Sequence, residues 1–386
     1  MNIFKRWSAA HTERVLLAAA GPVIALVVAF TLTSIVLAAS GENPFEPFSI
    51  MFEQATFSDV QVLIINDAAG LYIGALAVAV GFRMNLFNIG VEGQYRLAAC
   101  VTAIVGAHIA FPAFLQIPLL ILSAAVTGAI WSGIAGVLKV TRGVSEVVST
   151  IMLNSIAASV ISYLTLEDAF GVAVGNNRTT GEMDKAGWFP GIDMGEGVGT
   201  IYGFVIVGVA LGVIYWLMLN RTRFGFDLRA SGASESAAAA SGVSAKKMVL
   251  TAMLLSGAIA GLAGLPTLLG STHTFSDSFP ASLGFNAITV ALLGRNSPAG
   301  MALASLLLSW LFNAADPLDL QGYSSEIATI MQGLIVIAVV VSYESVRVWG
   351  TRRQQQRVGA ELAAGHVLGT TDSDDTNDTK KEVAAR

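Results

Sequence analysis

The chain has 386 residues, of which 54% are hydrophobic and only 13% charged, with a mean hydropathy of +0.66. That balance excludes an ordinary water-soluble globule and requires a polytopic membrane protein. The formal charge of −5 informs through its distribution along the chain, and the single cysteine, Cys100, excludes an intrachain disulfide and argues against a cysteine-based metal or redox site.

The first apolar run, 15–39, follows Lys5, Arg6 and Arg14. It exceeds the roughly 7–15 apolar residues of a secretory signal and matches the roughly 20 needed to cross hydrocarbon, so it reads as a retained helix. Further runs of spanning length follow at 60–82, 95–114, 115–138, 145–166, 201–219, 247–269, 298–315 and 326–345, with a shorter one at 282–294. The expected fold class is therefore all-α: a polytopic integral membrane protein of about ten transmembrane helices, with broken or re-entrant segments near 85–94 and 282–296.

Charge sets the expected orientation. If all ten runs cross, one side holds Lys5, Arg6, Arg14, Arg83, Arg96, Lys139, Arg142, Arg221, Arg223, Arg229, Lys246, Lys247, Arg295 and the basic residues from Arg347 onward. The other side holds Arg178 and Lys185 with several carboxylates, among them Glu42, Asp59, Glu167 and Asp316. The positive-inside rule then places both termini in the cytoplasm of a multi-pass protein of the plasma membrane. The segment 167–200 is expected outside, with Trp188-Phe189-Pro190 as an interfacial aromatic patch or a lid, and 221–247 inside. Beyond Trp349 the chain turns polar and is expected to be disordered from about 359.

The most costly feature is the segment 85–94, Asn-Leu-Phe-Asn-Ile-Gly-Val-Glu-Gly-Gln, which sets amides, a carboxylate and two glycines in an apolar stretch. At membrane depth such groups survive where they face protein or a water-filled cavity, which points to a transport path. Glu92 is read either as a cation or proton site or as an acceptor for backbone N–H groups freed at the break, and the structural role is favoured. Asp67, after Asn66, is open to a similar ion-binding reading or to capping a half-helix that starts there. Gly90 and Gly93 fit backbone freedom and close helix approach equally. Asn88, Gln94, Asn154 and Asn286 are the candidate passage-lining amides, and interhelical hydrogen bonding is the equal alternative for Asn154 and Asn286.

Enzyme chemistry finds little support. His11, His108, His273 and His366 are scattered at no metal-ligand spacing, and neither a catalytic constellation nor a metal site emerges. No Gly-x-x-x-x-Gly-Lys-Ser/Thr phosphate loop is present, so any ATP must be used by a partner, and no cofactor is expected on this chain. Between Arg221 and Lys247 a short helix is expected, with Ser234 as N-cap before Glu235, alanines at 237–240 and Gly242 as the stop. Two alanine-rich turns are marginal alone, so this helix is expected to dock, on its own protein or on another subunit.

Four ordered blocks carry a resemblance: 85–94; Gly143-Val144-Ser145-Glu146 through Asn154; 229–242 followed by Ser256-Gly257-Ala258-Ile259-Ala260-Gly261; and Gly284-Phe285-Asn286 through Gly294-Arg295. Together they resemble the permease subunits of nucleoside and simple-sugar ABC importers, in the branched-chain amino acid and ribose permease superfamily. The resemblance covers residues 70–340, and the apolar runs and polar tail set the expected transmembrane permease domain at 1–346 and the cytoplasmic tail at 347–386. It implies a subunit that forms the passage for a nucleoside or related sugar-containing solute and is not itself an enzyme. Its partners would be cytoplasmic ATP-binding subunits, a second permease expected to be a different chain, an extracytoplasmic solute-binding lipoprotein and membrane lipid, with no nucleic acid. The ATPase-coupling loop then falls on Arg229, Gly232, Glu235, Ala237, Ala238 and Gly242, departing from the usual pattern at Ser234-Glu235 and Ala240. An ion-coupled secondary transporter of a polar small solute is the alternative.

Overall fold

The computed structural model describes residues 24, 27–175, 177–323, 329–338, 341, 345, 348–349, 352 and 355–356. The described residues are overwhelmingly helical and fall in two compact units, 45–332 and 1–44 with 333–386. In the second of these a helix over Val27–Ala39 ends at Gly41, whose φ of 82° lets the Glu42 N–H reach the Leu37 carbonyl. The expected spans at 15–39 and 326–345 lie only partly within the described residues, and the tail from 359 lies outside them.

The unit 45–332 contains α1 (Glu46–Gln54), α2 (Ser58–Arg83), α3 (Val91–His108), α4 (Ala113–Arg142), α5 (Glu146–Leu164), α6 (Phe204–Arg221), α7 (Arg223–Ala233), α8 (Glu235–Ala240), α9 (Ala245–Leu262), α10 (Leu283–Leu293) and α11 (Pro298–Ala315). Six helical stretches among the described residues are long and apolar enough to cross a bilayer: Ser58–Arg83, Ala113–Arg142, Glu146–Leu164, Phe204–Arg221, Ala245–Thr272 and Pro298–Gln321. The protein is thus a multi-pass, all-α membrane protein. α10 has 11 residues. At about 1.5 Å per residue it covers roughly half of a ~30 Å hydrocarbon core, so the 282–294 segment is a half-helix.

α2 runs through the middle of this unit, and glycines let its neighbours close on it. A methyl group at Gly70 would lie 3.1 Å from the Ala263 carbonyl oxygen, and one at Gly74 would lie 2.8 Å from Cβ of Ala287 on α10. From α11 the Ser309 hydroxyl donates to the Ile64 carbonyl at 2.8 Å. α4 and α9 pack through small residues four apart, Gly128 and Ser132 against Gly257 and Gly261, and the Ser132 hydroxyl donates to the Met253 carbonyl at 2.8 Å. Close backbone approach replaces the hydrophobic drive that lipid cannot supply. Outward, α4 and α6 present Leu122, Val126, Ile130, Ile206, Val209 and Val213, a surface suited to acyl chains.

The α2 helix is unbroken across Asp67, so no half-helix begins there for that carboxylate to cap; instead it accepts from the Asn313 amide at 2.9 Å. The segment between α5 and α6 contains two antiparallel hairpins, Val172–Val174 with Asn177–Thr179 and Gly191–Asp193 with Thr200–Tyr202. Trp188 and Phe189 of this segment pack on the protein, whereas Phe170 is exposed. Trp188 stacks on His273 with ring centroids 3.8 Å apart, and the Phe189 ring meets Phe204 at 4.3 Å. The backbone N–H groups of Thr180, Met183 and Phe189 donate to the carbonyls of Phe275, His273 and Leu269.

Candidate functional site

The first break begins where α2 ends. Asn85 adopts a left-handed φ of 57°, and the Leu86 N–H returns to the Gly81 carbonyl at 3.0 Å, which stops the helix. Asn88, 1% exposed, then ties the loop to its surroundings. Its Nδ2 donates to Gln94 Oε1 at 3.1 Å and to Ser256 Oγ at 2.9 Å. Its Oδ1 accepts from the Gly90 N–H at 3.1 Å and from Gln94 Nε2 at 2.9 Å. Two donors and two acceptor positions are thus all used. Ser256 in turn donates to the Ala77 carbonyl at 2.7 Å, so this amide knot joins α2, α3 and α9.

Asn154, on α5, seals the outer side. Its Oδ1 accepts from the Gly93 N–H at 2.9 Å and its Nδ2 donates to the Ile89 carbonyl at 3.0 Å. Gly93 permits this approach, because a methyl there would sit 2.9 Å from Cα of Asn154. Gly90 is confined likewise, its hypothetical Cβ lying 3.0 Å from Cβ of Thr150. Asn88, Gln94 and Asn154 are therefore brought together around one short segment. Asn286 is not: it stands half-buried on α10, away from the knot, and makes no side-chain hydrogen bond among the described residues.

Glu92 lies one residue into α3, and its carboxylate serves the other break. Oε1 accepts from the Ser282 N–H at 2.9 Å and Oε2 from the Gly284 N–H at 2.9 Å, at the N-terminus of α10. The positive end of a helix and two unpaired N–H groups stabilise a negative charge there. The Tyr95 hydroxyl lies 3.2 Å from Oε1 and donates to the Pro280 carbonyl at 2.7 Å. This second break starts at Gly264 and Pro266, where the α9 ladder fails, and passes through a π turn, Leu268–Thr272, to His273 and Ser282 with φ of 53° and 68°. Sequence reasoning singled out neither Tyr95 nor Ser256. Tyr95 carried a signal, a hydroxyl three residues after a buried carboxylate on one helical face.

At the opposite end of α2 from the Asn66 contact to Thr200 and Tyr202 sits the α7–α8 pair. The Ser234 hydroxyl accepts from the Ala237 N–H, and Gly242 with φ of 82° ends α8. Ala238 is buried, whereas Glu235 and Ala237 are exposed. The Arg229 guanidinium donates to the Leu219 carbonyl at the end of α6. Gly232 lies against the start of the first break: a methyl there would be 2.9 Å from Cα of Met84 and 3.1 Å from the Arg83 carbonyl carbon. The Arg83 guanidinium donates to the Asn296 carbonyl at 2.9 Å, in the turn between α10 and α11. Beside the pair, Arg223, Phe226, Asp227, Gly242 and Lys247 line a polar groove of about 500 Å³. Phe226 is 61% exposed there.

The profile of the family described as branched-chain amino acid transport system / permease component matches residues 61–340, and the chain belongs to that family. It is 32% identical to the guanosine ABC transporter permease protein of Bacillus subtilis, over 83% of this chain and 93% of the relative. It is 30% identical to the glucose ABC transporter permease protein of Haloferax volcanii, over 89% and 92%, respectively. A nucleoside ABC transporter permease protein of Lactococcus lactis is 31% identical over 83% of this chain and 90% of its own length. No solved structure matches the chain significantly. Membership makes it a membrane-embedded transport component, and its role is passage rather than catalysis.

Proposed function

We propose that the chain is the permease subunit of an ATP-binding cassette importer and forms the passage for a nucleoside or a related sugar-containing solute. The observation that carries this reading is the joining of a family-defining transmembrane unit to a compact helix pair, α7–α8, that abuts the first break. ATP would be bound and hydrolysed by separate subunits docked on α7, α8 and the groove at Phe226, and this chain would hold no cofactor. Both termini and the α7–α8 pair would face the cytoplasm of a plasma-membrane protein, as the basic residues favour. A solute-binding lipoprotein would deliver the solute on the other face, near the two hairpins. A second permease chain of different sequence would complete the passage, with lipid around both.

Of the four amides, Asn286 keeps a side chain open to a hydroxyl-rich solute. Asn88, Gln94 and Asn154 would act on passage through the shape of the break, which Gly90 and Gly93 allow and Glu92 links to α10. The ion-coupled alternative has no observation in its favour, since Glu92 is engaged by backbone N–H groups. The test is co-reconstitution with an ATPase, a second permease and a solute-binding protein from the same organism. ATP-dependent uptake of radiolabelled guanosine or glucose is expected, whereas uptake of neither above the ATP-free control would sink the reading.

A further inference from the structure

The first turn of α3 reaches the second break through the Glu92 carboxylate and, one turn on, through the Tyr95 hydroxyl, while the α7–α8 pair meets the first break at Gly232. Gly232 meets the backbone of Arg83 and Met84 with no side chain between, and only Asn85 separates Met84 from Leu86, whose N–H closes the end of α2. Asn88 and Gln94 then lock the loop to the first turn of α3, so a displacement of Met84 is passed on rather than absorbed. From that turn Glu92 reaches the N–H groups of Ser282, the residue that precedes α10, and of Gly284, in its first turn, with its two carboxylate oxygens. Gly284 allows the contact, because a methyl there would lie 2.6 Å from Cα of Glu92. Packed segments of this kind switch between discrete arrangements instead of deforming gradually.

We infer that the breaks form one relay, in which motion of α7–α8 enters at the Gly232 seam and leaves through Glu92, carrying the half-helix α10 with it. Gly232 and Glu92 are positioning residues in this scheme, and the relay rests on the transport reading above. Its sense is directional: the Gly232 seam lies upstream of both breaks, Glu92 upstream of the second alone. That order separates the relay from a merely structural role, which would disturb both breaks together.

The test places a spin label at Phe87 or at Phe285, both well exposed, in the assembled transporter with Cys100 replaced by Ala. Label mobility is compared between the nucleotide-free complex and the complex trapped with ATP and vanadate. In the parent, both labels are expected to respond. In Gly232→Ala the two responses shrink together, and in Gly232→Val both are lost. In Glu92→Gln the response at position 87 persists and that at 285 is lost. A response at 285 in Glu92→Gln equal to the parent's overturns the relay. So do undiminished responses in Gly232→Ala, or a parent complex in which neither label responds. Should the labels respond as expected while neither guanosine nor glucose is taken up, the proposed solute class fails and the relay stands.

Discussion

Between residues 85 and 94 the freed backbone groups are met by amide side chains of the same neighbourhood, whereas the break after Leu262 is apolar inside and borrows its acceptor from elsewhere. Asn88 and Asn154 satisfy the N–H groups of Gly90 and Gly93 and the carbonyl of Ile89. Leu265, Leu268, Leu269, Phe275 and Phe279 fill the second break, and the N–H groups at its far end are held by Glu92. Unsatisfied groups are costly at membrane depth, and the second break leaves His273 Nδ1 and the Thr274 hydroxyl buried without a partner among the described residues; the two solutions also differ in what must change for the segment to move. The first break can move only as a block with α3 and α5. The second is held at its far end by the Glu92 carboxylate and the Tyr95 hydroxyl, two side chains of one helical face, which suits a half-helix that carries the open amide Asn286.

The largest effect should come from emptying the knot. Asn88→Leu keeps the side-chain volume but strands the Gly90 N–H and the Gln94 amide and deprives the Ser256 oxygen of the donor it accepts from, at a cost of about 3 kcal/mol in the stability of the detergent-purified chain. Asn286→Leu is the matched change at the second break and should leave the thermal midpoint nearly unmoved; equal losses in the two variants would erase the contrast. Next comes Gly93→Ala, whose methyl would press on Asn154 at 2.9 Å. Overpacking there should cost about 2 kcal/mol, against less than about 1 for Gly264→Ala. The latter meets side-chain atoms at tight but longer range, Tyr95 Cδ2 at 3.2 Å and Ala99 Cβ at 3.3 Å, and a reversed order in thermal unfolding would contradict this packing. Glu92→Gln puts an amide N–H against one of two backbone donors and should cost roughly 1–2 kcal/mol. Hydrogen exchange should quicken at 282–284 before it does at 86–94.

The difference between the breaks also decides how much of each was legible in the sequence. The first announces itself because its polar residues interrupt an apolar run, and the α8 cap and stop are legible because Ser234 and Gly242 act within three residues of what they hold. The partners of Glu92 are 190 and 192 residues away, and no periodicity encodes a contact of that range. The sequence therefore led to the correct chemistry for that carboxylate, backbone N–H groups, but assigned it to the break in which Glu92 itself lies. Helix α7 escaped for a different reason: Arg223-Phe224-Gly225-Phe226 has no apolar stripe, and its helicity comes from packing of Gly225, Leu228 and Ser231 on the rest of the unit. Asp67 misled in the same way, since an Asn-Asp pair reads locally as a cap while α2 passes straight through it.

The smallest predicted effect separates the breaks by pH. The first holds no histidine, whereas His273 lies at the end of the π turn, stacked under Trp188. Burial of the ring lowers its pKa below the ordinary 6.5, and the Glu182 carboxylate opposes the shift without reversing it. The folded state therefore favours the neutral imidazole. Its contribution is fully present above the unfolded value of 6.5 and is lost as pH falls through that value toward the lower folded one. Acidification from about pH 7 to about pH 5 should thus lower protection factors, with exchange corrected for the slower intrinsic rate in acid, at 180–189 and 268–276, where the hairpin segment lies on the second break, by a few-fold at most. Protection at 86–94 should not change. Because Lys185 Nζ stands 5.8 Å from the Trp188 ring centroid, a protonated His273 would place two cations around one indole, and quenching of Trp188 fluorescence should follow the same pH window. Identical acid sensitivity in the amide knot would show that the breaks answer to a common titration instead of to their own chemistry.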